Sequence, residues 1–324
     1  EAASAYAGGD ITLGVLYTRW LTLEVDRGNV PEATRILRLL AEIEDWREPR
    51  DLSDTELARW TTWQAEQRLR LPPLRARHLA ARGELREAAA ILERLVEDEA
   101  DALEAWRRLR FLERAARDYY RAGRRTDAVR AIDAAIELAD DERKQASLRF
   151  WRLYAKHGLL NEAALPLIGT AWPGENFESD LRAYLRSLQG LDGAGTRYLS
   201  LASRAFAAER YDVALEIYLL GLRDPGLTAE ARRNANIWRG LLMGYSAAIK
   251  LEKFDEAEQI LEIVERIADE PMEDKDAFLL ALQKERRWVT ERPLREAARR
   301  KLAEAKQKRA KREAGRRHPC LLYT

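Results

Sequence analysis

The chain is short of the residues that build disulfides, metal sites and membrane spans. Its one cysteine, Cys320, excludes intramolecular disulfides, and its three histidines, at positions 78, 157 and 318, form no metal-binding pair. No apolar run approaches the roughly 20 residues that a spanning helix needs. We therefore expect a soluble chain, cytoplasmic or periplasmic, without a cofactor. No segment alternates apolar and polar residues as a half-buried strand does, so the prediction is an all-α fold.

Two short segments resemble chemical motifs but lack the residues that define them. Gly190, Gly193 and Gly195 precede Thr196, yet the lysine and the preceding strand of a phosphate loop are missing. We interpret these glycines as a linker. Cys320 is fifth from the end, whereas a prenylation box needs the fourth position. We interpret residues 318–324 as a disordered tail or as residues that do not belong to the natural protein.

What the sequence does contain is a short pattern that occurs six times. Each copy has a small or polar turn residue, an alanine five positions later, and a large apolar residue four positions after the alanine. The turn residues and their alanines are Gly28 and Ala33, Gly83 and Ala88, Gly123 and Ala128, Gly158 and Ala163, Glu209 and Ala214, and Glu252 and Ala257. The pattern predicts that a tight turn joins two amphipathic helices, which approach closely at the alanine.

This pattern resembles the tetratricopeptide repeat, a helix–turn–helix unit. Tyr119 and Tyr154, each four residues before a turn glycine, lie where that family often places a tyrosine. The resemblance covers residues 11–268 and implies a right-handed α-α superhelix, a TPR-like solenoid of about six degenerate helical hairpins. Successive alanines are 55, 40, 35, 51 and 43 residues apart, whereas the family unit is about 34 residues long. Extra helices or long loops must therefore interrupt the array.

The pattern and its breaks predict the domain organisation. We expect a lead-in at 1–10, repeats one to four at 11–170, an irregular insertion at 171–196, repeats five and six with a capping helix at 197–292, and a basic helix with a disordered tail at 293–324. The predicted helices are 11–26, 31–44, one from Ser53 or Asp54 that ends before Leu71, 73–81, 84–97, 101–122, 125–139, 142–157, 160–170, 177–189, 197–208, 211–222, 228–250, 254–268 and 273–290. The sequence begins at Glu1 rather than at a methionine, and we interpret it as an excised or processed fragment.

A net charge of +1 conceals two segments of opposite charge. Residues 284–324 contain 15 basic and 5 acidic residues, a net charge of +10, which leaves −9 for residues 1–283. The basic extension allows contact with nucleic acid or an anionic lipid surface through residues 294–317. It also fits a solvated helix that leads into a disordered tail. No aromatic residue interrupts the basic run to stack on bases.

The resemblance places the first helix of each pair along a concave groove. We predict that a partner is bound by seven residues of this groove and by one loop residue, Trp172. The seven are Arg77, Arg110, Arg117, Tyr120, Arg121, Arg152 and Lys156. Concentrated arginine indicates an acidic partner protein or peptide. The asparagines of the carboxylate-clamp subclass are absent, since the corresponding positions hold Thr22, Arg77, Arg117, Arg152, Ser203 and Ser246.

The functional prediction is a non-catalytic scaffold for protein–protein interaction. Frequent Arg, Ala and Trp suit a GC-rich bacterial source, and family analogy suggests an envelope or exopolysaccharide secretion assembly. Two alternatives stay open: a nucleic-acid-associated adaptor that uses the basic extension, and an enzyme with a site in the groove. A homo-oligomer is also left open.

Overall fold

The protein is built from helices throughout the part of the chain that the structure describes. The computed structural model describes residues 2–44, 53–161, 163–164, 172–191, 194–223 and 235–268, with Leu280, Gln283 and Gln307. Twelve helices lie in these ranges. Among these residues there is no β-strand, and only Leu160 forms an isolated β-bridge. The predicted all-α array of tetratricopeptide-like hairpins is confirmed.

The chain divides into two compact units, the first of which is Glu1–Leu188. Its helices are α1 (Ala2–Asp26), α2 (Val30–Glu44), α3 (Asp54–Ala81), α4 (Leu85–Asp98), α5 (Ala105–Arg121), α6 (Arg125–Leu138), α7 (Glu142–Lys156) and α8 (Glu175–Arg186). Each helix packs against the next in the chain, and α1 also packs against α3. The helices thus pair as consecutive hairpins. Helix α1 begins at Ala2 and so includes the residues predicted to form a lead-in.

The second unit is Gln189–Thr324. Its described helices are α9 (Gly195–Ala207), α10 (Tyr211–Leu222), α11 (Ala235–Lys250) and α12 (Phe254–Ala268). Helix α11 packs against α9, α10 and α12. The predicted capping helix, the basic helix and the tail lie outside the described residues, apart from Leu280, Gln283 and Gln307, which are helical.

All six predicted turn residues adopt the left-handed backbone conformation. The φ angles are 71°, 84°, 76° and 69° at the four glycines, and 59° at both Glu209 and Glu252. In each turn two backbone N–H groups bond back to the end of the preceding helix, as in Gly123 N to Tyr120 O and Arg124 N to Tyr119 O, both 2.9 Å. This is the Schellman arrangement, which satisfies carbonyls that a helix end leaves unpaired.

Five of the six pattern alanines are buried between the two helices of a hairpin. Ala88, Ala128, Ala214 and Ala257 are 0% exposed and Ala33 is 1% exposed. A side chain without atoms beyond Cβ lets the two backbones approach, so the prediction that Ala128 and Ala257 are buried is confirmed.

The fourth copy of the pattern does not form the predicted second helix. We expected a helix at 160–170, but residues 160, 161, 163 and 164 are non-helical and Ala163 is exposed; the remainder of that range lies outside the described residues. Side chains hold the local backbone instead. The Tyr120 hydroxyl donates to Leu160 O at 3.0 Å and accepts from Leu160 N at 3.1 Å. The Asn161 carboxamide accepts from Ala163 N at 2.9 Å, which favours a turn over a helix.

Helix α3 continues through two consecutive prolines, where we predicted a break. Proline disfavours the helical conformation in the residue before it, yet α3 runs for 28 residues with Pro72 and Pro73 inside. Each proline removes one backbone hydrogen bond. Leu71 and Leu74 are buried in an apolar cluster with Leu21 of α1 and side chains of α2. Tertiary packing therefore keeps both halves of α3 in one helix.

Candidate functional site

Helix α5 presents a polar and aromatic face that contains three of the eight predicted binding residues. Trp106, Arg110, Glu113, Arg117 and Arg121 are spaced by four, three, four and four residues, which places them on one side of a helix. Trp106, Arg110, Arg117 and Arg121 are exposed, and Trp106 keeps 50% of its surface accessible. The opposite side of α5 carries the buried Leu112, Ala115, Ala116 and Tyr119. Burial of that side fixes which side chains of α5 face outward.

Two arginines of this face lie over indole rings. The Arg110 guanidinium carbon is 5.3 Å from the ring centre of Trp106, one turn earlier in α5. The Arg117 guanidinium carbon is 5.7 Å from the ring centre of Trp151 on α7. Both separations are within the range of cation–π attraction. The Trp151 ring is itself held, because its Nε1–H donates to Ala164 O at 3.1 Å.

The guanidiniums of Arg110 and Arg117 have no carboxylate at ion-pair distance among the residues that the structure describes. We call the patch formed by Trp106, Arg110, Arg117 and Trp151 the α5–α7 surface.

A buried carboxylate, that of Asp118, directly follows Arg117 in α5. Asp118 is 4% exposed, and its oxygens are 3.8 Å from Arg114 Nε and 3.7 Å from Arg121 Nη1. Burial raises the pKa of Asp118, although Arg114, Arg121 and Arg117 oppose the shift. Asp118 therefore holds Arg114 and Arg121 close to α5.

Three other predicted cations are neutralised by acids of neighbouring helices. Arg77 of α3 pairs with Asp26 of α1. Arg152 of α7 bonds to both oxygens of Asp133 on α6, at 3.2 Å for Nη2 to Oδ2. The third is Lys156, also on α7, whose Nζ is 2.8 Å from Asp180 of α8. These cations link helices of the first unit, and a partner would have to displace an internal acid to bind them.

The ion pairs of α7 line a cleft of about 380 Å³ between α6, α7 and α8. His157 Nε2 is also 2.7 Å from the Asp180 carboxylate. Burial alone would raise the pKa of Asp180, but the hydrogen bonds from Lys156 and His157 outweigh it and lower that pKa. The Asp180 carboxylate is thus ionised and engaged by two donors.

The last two predicted residues mainly support the structure around them. Both hydrogen-bonding functions of the Tyr120 hydroxyl are taken by the backbone of Leu160. Trp172 is partly exposed, as predicted, but its Nε1–H donates to Glu178 at 2.8 Å and its ring packs edge-on against Phe177, with centres 5.3 Å apart. Trp106 is more exposed than Trp172 and was not among the predicted binding residues. Its spacing of four from Arg110 was the signal that could have identified it.

A second cleft, of about 430 Å³, lies between α3 and α4. Its apolar lining comes from Trp63, Leu71, Pro72, Ile91 and Leu95. Arginines of both helices surround them, with Asp98 and Glu99 at the end of α4. None of the predicted binding residues lines it.

Within the described ranges, no three His, Cys, Asp or Glu side chains are grouped closely enough to hold a metal ion. None of the helices described there is both long and apolar enough to cross a bilayer.

Comparison with known proteins gives similarities in structure alone. No protein-family model matches the chain, and no curated protein matches it. The apo form of RapI is similar over 83% of this chain and 80% of its own, with 11% identity and a TM-score of 0.37. BtubC (BKLC) from P. vanneervenii is similar over 76% of this chain and 90% of its own, with 16% identity and a TM-score of 0.33.

Proposed function

We propose that this chain is a non-catalytic protein-binding scaffold that docks an acidic segment of its partner on the α5–α7 surface. The observation that carries the proposal is the pair of exposed guanidiniums, Arg110 and Arg117, which stack on tryptophan and have no carboxylate at ion-pair distance within the described ranges. Arrays of helical hairpins present extended binding surfaces and are typically non-catalytic.

Stacking prepares these arginines for recognition. A guanidinium that lies on an indole face keeps its N–H groups at the edge of the plane, where they can bond a carboxylate in a bidentate manner. The side chain loses less rotational freedom on binding because the ring already restricts it. Tryptophan and arginine are also the residues most often found at the energetic centre of protein interfaces.

The other predicted cations contribute less to binding because each is already paired with an acid of this chain. Arg77, Arg121, Arg152 and Lys156 are paired with Asp26, Asp118, Asp133 and Asp180. Such pairs weaken the attraction of a partner carboxylate, since each cation already has a nearby anion. We therefore assign direct contact to Arg110 and Arg117.

Charge reversal at these two arginines tests the proposal. The probe is a fluorescein-labelled Glu-rich peptide, and binding is measured by fluorescence anisotropy at low ionic strength. Arg110→Glu with Arg117→Glu should weaken binding at least about tenfold, the effect of losing more than 1.4 kcal/mol. The matched control is Arg59→Glu with Arg86→Glu, because both are exposed arginines of the same unit; it changes net charge equally and should retain most of the affinity.

Deletion of residues 294–317 separates this function from the alternative. Retained binding after the deletion supports the α5–α7 surface. Undiminished binding by the charge-reversed variant, together with loss on deletion, would instead favour the adaptor that uses its basic extension. The bacterial envelope or secretion assembly rests on family analogy and stays a prediction.

A further inference from the structure

The Trp151 ring, on which Arg117 lies, is connected to an unusual stretch of backbone. Four described residues that follow α7 are non-helical, and we call them the support segment: Leu160, Asn161, Ala163 and Ala164. We propose that the support segment and Tyr120 position Arg117 for partner binding by fixing the Trp151 ring. Tyr120 is then a positioning residue that acts through Arg117. This inference rests on the proposed function, because it assumes that Arg117 contacts the partner.

One end of the support segment holds the indole of Trp151. The Trp151 Nε1–H donates to Ala164 O at 3.1 Å, and the Arg117 guanidinium carbon is 5.7 Å from the centre of the same ring. An indole N–H lies in the plane of its ring, so this bond restricts rotation of the ring and fixes the direction of its faces. A cation is attracted to the face of an indole. The position of Ala164 O therefore influences where the guanidinium of Arg117 lies.

The backbone of Ala164 adopts a conformation that makes this bond possible. Its φ angle is 56°, in the left-handed region that residues with a Cβ atom rarely adopt. In an α-helix the carbonyl of Ala164 would bond to the N–H four residues later, and it would be withdrawn from the indole. Asn161 holds the turn, because its side chain accepts from Ala163 N at 2.9 Å and its carbonyl accepts from Ala164 N at 2.8 Å. The failure of the fourth copy to form a helix thus supplies the acceptor for Trp151.

The other end of the support segment is attached to α5. The Tyr120 hydroxyl donates to Leu160 O at 3.0 Å and accepts from Leu160 N at 3.1 Å. Leu160 is 5% exposed, so removal of the hydroxyl leaves a buried N–H and a buried carbonyl without that partner, which is costly. Tyr120 follows Arg117 by three residues in α5. The support segment therefore leads from one residue of α5 to the ring on which another residue of α5 lies.

The experiment is a double-mutant cycle on the full chain, with the fluorescein-labelled Glu-rich peptide as the probe and fluorescence anisotropy as the measurement. Tyr120→Phe removes only the hydroxyl and should weaken binding about two- to fivefold, the contribution of one exposed cation–π contact. Arg117→Gln should weaken binding as well. In the Arg117→Gln background, Tyr120→Phe should have no further effect, because residues that act as one unit are not additive. A merely structural role of Tyr120 would weaken binding by the same factor in both backgrounds.

Tyr119→Phe is the matched control for the loss of a hydroxyl. Tyr119 precedes Tyr120 in α5, and its hydroxyl donates to Glu93 of α4 at 2.6 Å. Loss of that bond should lower the thermal stability and leave the affinity for the peptide unchanged. NMR observes the positioning directly: the indole N–H signal of Trp151, identified by its absence in Trp151→Phe, should shift in Tyr120→Phe. The indole signal of Trp106 should keep its position.

Each other outcome contradicts a specific claim. Unchanged affinity of Arg117→Gln would overturn the proposed function and this inference with it. Weaker binding by Arg117→Gln, together with an effect of Tyr120→Phe that is absent or equal in both backgrounds, would overturn the positioning role and leave the proposed function intact. If Tyr120→Phe does not fold, Asn161→Ala takes its place in the cycle, because it removes one hydrogen bond of the support segment. The same non-additivity is expected, and unchanged affinity of Asn161→Ala would overturn the inference.

Discussion

At the residue scale, two glutamates occupy a backbone conformation that the other copies of the pattern assign to glycine. Glu209 and Glu252 have φ angles of 59°, and each closes the same two backbone bonds as the turn glycines. A residue with a Cβ atom is strained in this left-handed region by roughly 1–2 kcal/mol. The turn is thus imposed by the packing of the two helices on either side of it.

Replacing either glutamate by glycine should stabilise the protein. Glu209→Gly or Glu252→Gly removes the left-handed strain, and we expect a gain of about 0.5–1 kcal/mol in the free energy of unfolding after the greater flexibility of the unfolded chain is included. Urea titration followed by circular dichroism measures it. The control, Glu258→Gly in the exposed middle of α12, should lose about 0.5–1 kcal/mol. Destabilisation of all three variants alike would contradict the strain argument.

A second prediction at this scale concerns pH. His78 is 4% exposed, its Nε2 is 3.1 Å from Thr34 Oγ1, and burial, followed by Arg82, lowers its pKa. The unfolded chain, with an ordinary histidine pKa of about 6.5, therefore takes up the proton more readily than the folded one. Neutral His78 therefore contributes fully to the free energy of unfolding above pH 6.5. That contribution is lost as the pH falls below 6.5, by up to about 1.4 kcal/mol per pH unit.

Thermal melts between pH 7.5 and 5.5 measure this effect. His78→Gln should lose less thermal stability over that range than the unaltered protein, while being less stable at pH 7.5. His157→Gln serves as the comparison for a partly exposed histidine. An identical pH profile for His78→Gln and the unaltered protein would show that His78 does not cause the acid sensitivity.

At the scale of elements, the sequence predicted hairpins well wherever the pattern depended on local geometry. The turns and the buried alanines of five copies follow from the residues of the pattern itself. The sequence-based prediction was wrong at α3 and at residue 160, where contacts with distant residues determine the backbone conformation. Pro72 and Pro73 stay in a helix because of side chains on α1 and α2. Leu160 is held out of a helix by Tyr120, forty residues earlier. Local propensity contains neither contact.

Replacing the buried pattern alanines by leucine tests the hairpin crossings directly. Ala128→Leu and Ala257→Leu introduce a large side chain at positions that are 0% exposed, so each should cost roughly 1–3 kcal/mol of stability. The chain provides its own control in Ala163, the equivalent alanine of the fourth copy, which is exposed. Ala163→Leu should change stability by less than about 0.5 kcal/mol. Equal effects at all three positions, measured by denaturant titration, would contradict the assigned crossings.

At the scale of the molecule, the sequence named Arg110 and Arg117 as candidates but neither named Trp106 and Trp151 nor ranked the cations. Helical spacing brings Arg110, Arg117 and Arg121 to one side of α5. Which of the predicted cations remain available depends on acids from other helices, such as Asp26 on α1 and Asp180 on α8. That pairing is a property of tertiary structure, and the repeat pattern carries no information on it.

The division into two units yields the last prediction. Every residue of the α5–α7 surface lies in Glu1–Leu188, which is a compact unit with its own hairpins and apolar clusters. A fragment of residues 1–188 should therefore be helical by circular dichroism, unfold cooperatively and bind the Glu-rich peptide within about threefold of the full chain, since a compact domain with its own core can fold alone. The fragment lacks the basic extension at 294–317, so retained affinity would assign recognition to α5 and α7. A folded fragment that no longer binds would place recognition in the second unit, and Arg110→Glu with Arg117→Glu in the fragment shows whether any remaining affinity belongs to this surface.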